Sequence, residues 1–186
     1  MNNKIDLRVI KTKKNLYDSL LNLMSDTSFE DIKVSDICEK ALINRSTFYS
    51  HFNDKYELLQ SLISDLKDTL IKDLNQNENI ENPKEYYMEM IKLFLNHIDD
   101  NIDIYSAIIK NNKNSIVMDM TYDALQNDVK SKLDKKGTGD IPAQFVSMFY
   151  IGAVINVGID YLRSPKKISK EKVIDYLNQL LPDKIY

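Results

Sequence analysis

Apolar spacing, the placement of turn formers and overall composition together predict an all-α fold of about nine helices for this 186-residue chain. Apolar positions recur at three- and four-residue intervals along nearly the whole sequence, the period of helices with one buried face. All four glycines (Gly137, Gly139, Gly152, Gly158) and all four prolines (Pro83, Pro142, Pro165, Pro182) fall after residue 82. Helix boundaries before that point must therefore show as shifts of apolar period. With 43% apolar and 28% charged residues the chain can bury a core, which excludes wholesale disorder. Its length is about 1.2 times a 150-residue yardstick, which suits one domain or two small helical ones better than a multidomain enzyme.

Leu16, Leu20, Leu23 and Met24 line one face of a first helix ending near Ser25. Val34, Ile37, Cys38 and Ala41 repeat the pattern over barely two turns, and Ile43, Phe48 and Phe52 mark a third short segment with Asn44 as N-cap. Asp54 and Glu57 stand in capping-box spacing at the head of a fourth helix, which runs through Leu58, Leu62, Leu66 and Leu70 into the polar stretch Asn75 to Asn82. After Pro83, Tyr86 to Ile98 keep helical register, followed by a shorter piece from Ile102 to Ile109 and a helix from about Ser115 to Leu133. Lys135 to Gly139 breaks the chain. Ile141 to Leu162 is apolar nearly all round, and Ser169 caps a last helix through Leu181.

Net charge is −3 but uneven: Lys4, Arg8, Lys11, Lys13 and Lys14 against Asp6 give +4 for residues 1–16 and leave −7 for the rest. A basic arm on an acidic body suits contact with a polyanion through one end, and a solvated basic terminus explains it equally well. Cys38 is the only cysteine, which excludes an internal disulfide and a cysteine zinc site and favours an intracellular chain. The start, Met1 to Asp6, has neither an apolar core nor a small-residue cleavage site, so a cytoplasmic protein is expected. Catalysis finds no footing: there is no glycine-rich phosphate loop, no cysteine-histidine pairing and no pair of histidines at metal spacing. No cofactor and no metal are expected. Cys38 reads as a small core residue, and His97 as a polar residue on a surface-facing helix edge.

The apolar helix from Ile141 to Leu162 has the length of a membrane span, but Gln144, Asn156 and Asp160 interrupt it, so no membrane partner is expected. A helix apolar on every side must be covered on every side, which points to a second subunit, with a central core helix in a monomer as the alternative. Gly152 and Asn156, four apart, would admit a partner backbone closely.

Between Lys33 and Lys55 two short helices flank a reversal at Leu42 to Asn44, which is helix-turn-helix spacing. The second helix of such a unit can enter the DNA major groove, which admits one helix. With Ile43, Phe48 and Phe52 turned inward, Asn44, Arg45, Ser46, Thr47, Tyr49, Ser50 and His51 face outward. Arg45 can pair with guanine in two-pronged fashion, and the hydroxyls can reach base edges or phosphates. Lys13, Lys14 and Lys55 predict steeply salt-dependent binding.

From Leu16 to Leu58 the chain resembles the tetracycline-repressor (TetR) family of bacterial regulators. The likeness rests on Phe29-x-x-x-x-Val34-x-Asp36-Ile37, then Ile43-x-Arg45-x-Thr47-Phe48-Tyr49-x-His51-Phe52 and Lys55. The resemblance implies a three-helix helix-turn-helix DNA-binding domain over residues 1–60 (motif about 33–52) and a helical ligand and dimerisation domain over 61–186. It places Ser35, Arg45, Ser46 and Ser50 against bases and Thr47, Tyr49, His51 and Lys55 against phosphates, Lys55 aided by the exposed N–H groups opening the fourth helix. The helices Phe145 to Leu162 and Ser169 to Leu181 are similar to the dimerising pair of a Firmicutes-type branch, with Phe149, Gly152, Ala153, Asn156, Tyr176 and Leu180 in the interface. Three positions depart from the family pattern: Leu42 and Ser28 replace glycines, and Lys33 replaces a hydroxyl cap. A leucine avoids positive φ, so a different turn type is expected, as is fraying where the cap is missing.

Tyr87, Met90, Phe94, Met120, Tyr122 and Met148 fit a ligand cavity and, equally well, core filling. The resulting expectation is a homodimeric regulator, most simply a repressor, that binds a palindromic double-stranded DNA operator and is released by a small-molecule effector. The alternative is a helical protein-interaction module without DNA binding.

Overall fold

The computed structural model describes residues 7–75, 83–112, 116–136, 140–163 and 168–180. Among these there are nine α-helices, one 3-10 turn and no strand. In order they are α1 (Leu7–Asp26), the turn Phe29–Asp31, α2 (Val34–Lys40), α3 (Arg45–Tyr49), α4 (Lys55–Asn75) and α5 (Pro83–Asp100). Then follow α6 (Ile102–Asn111), α7 (Ile116–Lys136), α8 (Ala143–Arg163) and α9 (Lys170–Leu180). The fold class agrees with expectation. Most of the expected polar run after Asn75, the Gly137-to-Gly139 loop, Ser115 and Leu181 lie outside the described residues.

The helix α1 begins well before its first buried residue, Leu16: residues 7–15 are helical although none of their side chains, Leu7, Val9 and Ile10 included, is buried. At the head of α4, Asp54 Oδ1 accepts from the N–H groups of Tyr56 and Glu57, both at 2.8 Å, while Glu57 Oε2 accepts from Asn53 N–H at 2.6 Å. The capping box forms with its return bond one residue earlier than the usual pattern.

Leu42 corrects the expected turn type. Its φ is 55°, in the left-handed region, and it is 92% exposed. Ile43 N–H donates to Cys38 C=O at 3.0 Å and Leu42 N–H to Glu39 C=O at 3.2 Å, the two bonds of a Schellman motif closing α2. The leucine thus takes the backbone conformation that glycine favours, its side chain in solvent, at a cost of roughly 1–2 kcal/mol. Lys33 lacks a hydroxyl, yet its N–H is held by Asp36 Oδ2 at 2.9 Å, and α2 starts at Val34. Ser28 has φ −66° and ψ 140°, extended backbone open to any residue.

One core joins the first four helices: Leu16, Leu20 and Met24 of α1, Phe29, Ile37 and Cys38, Phe48 of α3, and Leu58 and Leu59 of α4. Ile108 of α6 and Val117 of α7 belong to the same cluster, so the body packs into the base of the N-terminal unit. The 60/61 boundary expected from sequence falls inside α4, which packs against α1 on one side and α5 and α7 on the other. Asn112, at the C-terminal end of α6 and 1% exposed, ties the two parts together. Its Oδ1 accepts from Phe29 N–H at 2.7 Å, and its Nδ2 donates to Met24 C=O at 3.1 Å and Ile108 C=O at 2.9 Å. Elsewhere, Asp99 of α5 accepts from Tyr161 Oη of α8 at 2.6 Å and pairs with Lys170 of α9 at 2.9 Å, fastening the last helix to the body.

The helix α8 is covered on one side only. Val146, Ser147, Tyr150, Ile151, Gly158 and Leu162 are buried, whereas Phe145, Met148, Phe149, Ala153 and Asn156 are exposed, Phe149 at 69%. That excludes a central core helix in a monomer. Among the described residues α8 is also the one helix long and apolar enough to cross a membrane, judged by length and composition.

Candidate nucleic-acid interface

Phe48 sets the orientation of α3. It is fully buried, with its ring 6.0 Å from that of Phe52, and burying both rings anchors a helix too short to persist alone. Once Phe48 points inward, Arg45, Ser46, Tyr49 and Ser50 are exposed, with Thr47 and His51 half-buried at the edge. Asn44 occupies the N-cap position, but its side chain makes no capping bond, and it is exposed beside Arg45. Ser50, the C-cap of α3, donates through Oγ to Thr47 C=O at 2.7 Å. Ser35, half-buried in α2, donates to Asp36 Oδ1 at 3.1 Å. Lys13 lies in the seam between α1 and α4: its Nζ donates to Ser61 Oγ at 3.4 Å and stands 5.8 Å from the Phe52 ring centroid. Cys38 is buried behind the motif, and burial pushes its thiol pKa up, as befits a core residue.

Lys55 requires a correction. Its ammonium donates to the carbonyls of Phe29 (2.8 Å), Glu30 (2.7 Å) and Ile32 (2.8 Å), which uses all three donors. It also stands 4.8 Å from the Phe29 ring centroid. No donor is left for a phosphate, and the N–H groups of Tyr56 and Glu57 are taken by Asp54. Lys55 instead caps the 3-10 turn that leads into α2, and burial lowers its pKa.

A cavity of about 130 Å³ lies where α1 and α4 meet α5, α6, α7 and α8. Leu21 and Met24 of α1 and Leu59, Leu62 and Ile63 of α4 line it from the N-terminal unit, and Phe94, Ile109, Met118 and Gly158 line it from the body. His97 also lines it, which corrects its expected place at the surface: it is half-buried, and Nε2 bonds Tyr105 Oη at 2.8 Å. Burial lowers the His97 pKa and raises that of Tyr105 to about 12, so both are neutral at pH 7.

Of the six residues expected at a ligand cavity, only Phe94 lines this one. Met90 joins Phe94 at a smaller space of about 40 Å³. Tyr87 stacks on Tyr150 with centroids 4.9 Å apart and fills core, Tyr122 packs against that same cluster, Met120 packs on the N-terminal core, and Met148 is exposed. Tyr87, Met90 and Tyr122 thus meet in one packed cluster without lining the cavity, and the six do not share a single cavity.

Residues 16–62 match the family described as bacterial regulatory proteins of the tetR family, and residues 88–183, half of the chain, match a transcriptional regulator C-terminal region of the same group. The chain belongs to the TetR family of transcriptional regulators. A curated relative, the dhaKLM operon transcriptional activator DhaS of Lactococcus lactis, is 30% identical over 105 residues, 56% of this chain and 52% of its own length. An uncharacterized HTH-type regulator of Bacillus subtilis, YxbF, is 39% identical over 61 residues, 32% of this chain and 16% of its own length. The chain therefore matches about half or less of these relatives. A solved TetR regulator from Streptococcus agalactiae superposes with TM-score 0.65 at 25% identity, covering 94% of this chain and 96% of that one.

In this TetR-family regulator, sequence reasoning missed Asn112 and the cavity. The run Asn111-Asn112 at a helix end is a weak signal for a buried tie, and the cavity has no sequence signature because six helices build it.

Proposed function

We propose that this protein is a homodimeric repressor that reads a palindromic operator with two copies of α3 and leaves it when a small molecule occupies the body. The observation that carries the reading is the outward face of α3: a guanidinium, an amide and three hydroxyls on a helix that Phe48 and Phe52 lock in place. Arg45 and Asn44 are the base-reading candidates, with Ser35, Ser46 and Ser50 beside them, while Thr47, Tyr49, His51 and Lys13 suit the backbone. Dimerisation is supported by the bare stripe on α8, with Phe149, Ala153 and Asn156, and by exposed Tyr176 and Leu180 of α9. Gly152 leaves open space where a side chain would stand, which suits close approach by a partner helix. A second copy rather than a lipid bilayer covers this stripe, and a regulator of this kind works in the cytoplasm, where its DNA is.

Selecting bound duplexes from a random pool tests the reading. The expected result is a two-fold symmetric site with half-sites about one helical turn apart, affinity falling steeply with salt, and loss of binding in Arg45→Ala. A selected pool without symmetry, or an Arg45→Ala variant that binds like the parent, would favour the protein-interaction alternative. A second reading, activation rather than repression, is favoured by the relative named as an activator, and a reporter placed downstream of the selected site distinguishes the two.

A further inference from the structure

The cavity between the N-terminal unit and the body has an unusual wall. Among the described residues no lysine, arginine, aspartate or glutamate lines it, and its side chains are almost all aliphatic or aromatic. Its polar side chains are His97, Tyr105 and Thr121. The Thr121 hydroxyl has committed its one donor to Val117 C=O at 2.8 Å, within its own helix, and can only accept. His97 and Tyr105 bond each other, which leaves the tyrosine hydroxyl one valence: if Tyr105 donates to the imidazole it can still accept, and if it accepts it can still donate. At about 130 Å³ the space is close to the dry apolar cavity of about 150 Å³ that binds benzene.

We propose that this cavity binds a neutral, largely apolar molecule of about benzene size bearing one hydroxyl or carbonyl, which meets Tyr105. A charged ligand is rejected because its charge would be buried among apolar side chains with no partner. A long acyl chain is rejected by volume. Gly158 helps set that volume, since a Cβ there would stand 3.2 Å from the Phe94 ring, which would have to shift. The inference names the effector class of the regulator proposed above and so rests on that reading for its regulatory meaning. Leu21 and Met24 of α1 and Leu62 of α4 are cavity walls, so an occupant touches helices of the DNA-binding unit without an intermediary.

The test uses the full chain, titrated calorimetrically with phenol, toluene, benzoate and a long-chain acyl-CoA, first without DNA and then through operator affinity. Phenol and toluene should both bind, phenol about fivefold tighter, the worth of one neutral hydrogen bond. Tyr105→Phe conserves the shape and should bring the phenol-to-toluene ratio near one while toluene binding persists. Failure of both phenol and toluene to bind up to their solubility limits overturns the proposal. So does tighter binding of benzoate or the acyl-CoA, or an unchanged ratio in Tyr105→Phe. Operator affinity should fall roughly 5- to 150-fold with phenol bound. Phenol that binds while operator affinity stays fixed upholds the site and overturns its role as an effector site.

Discussion

Replacing Asn112 with alanine removes the tie between α6 and the start of the helix-turn-helix. The amide is 1% exposed and makes three hydrogen bonds. After truncation, Ile108 C=O keeps its bond from the Asn112 N–H at 2.8 Å, but Phe29 N–H loses the acceptor that Asn112 provided, in a buried place. A buried donor left unmade costs about 1–3 kcal/mol, and loss of the bond to Met24 C=O adds about 1 kcal/mol. The expected destabilisation is therefore about 3 kcal/mol. For a chain of this size that lowers the melting temperature by roughly 6–12 °C. Thermal and urea unfolding at fixed protein concentration measure it. The control is Asn22→Ala, the same substitution where the amide bonds Asp18 C=O on the exposed side of α1, expected within about 0.5 kcal/mol of the parent. If Asn112→Ala melts within about 2 °C of the parent, the tie carries no stability and the reasoning fails.

Lys55→Met should cost about 2 kcal/mol or more, from lost charge-assisted bonds to three carbonyls, while the slope of operator affinity against salt stays unchanged. A shallower slope would return Lys55 to the phosphate backbone. Leu42→Gly should raise stability by up to about 1 kcal/mol in urea unfolding, because relief of a left-handed leucine outweighs the entropy that glycine adds to the unfolded chain. A destabilised Leu42→Gly variant would mean that the exposed side chain has an unseen role. Phe149→Asp should dissociate the proposed homodimer: at about 1.5–3 kcal/mol for each of two symmetry-related rings, its dimer constant weakens more than a hundredfold, which sedimentation would register. An unchanged dimer would place the interface elsewhere.

Local patterns carried much of the chain's meaning. The three-and-four spacing of Leu16, Leu20, Leu23 and Met24, the inward Phe48 and the Asp54–Glu57 pair each involve residues within two or three turns of one another, so their physics is written in consecutive letters. The outward face from Asn44 to Ser50 follows from the same local geometry. Features that depend on distant partners stayed hidden. Lys55 looked like a phosphate contact until its carbonyl partners, 23 to 26 residues away, came within 2.8 Å. His97 looked like a surface residue until α6 laid Tyr105 over it. Leu42 looked unfit for a left-handed turn, but packing of α2 against α3 outweighs a local preference worth only roughly 1–2 kcal/mol. Asn112 meets Phe29 across 83 residues, and the cavity exists only where six helices fail to fill the space between them. Sequence alone determined which segments coil and which face each one buries, because backbone and side-chain periodicity are local. Tertiary structure decided what each polar group is paired with and where space remains, because both depend on which faces meet.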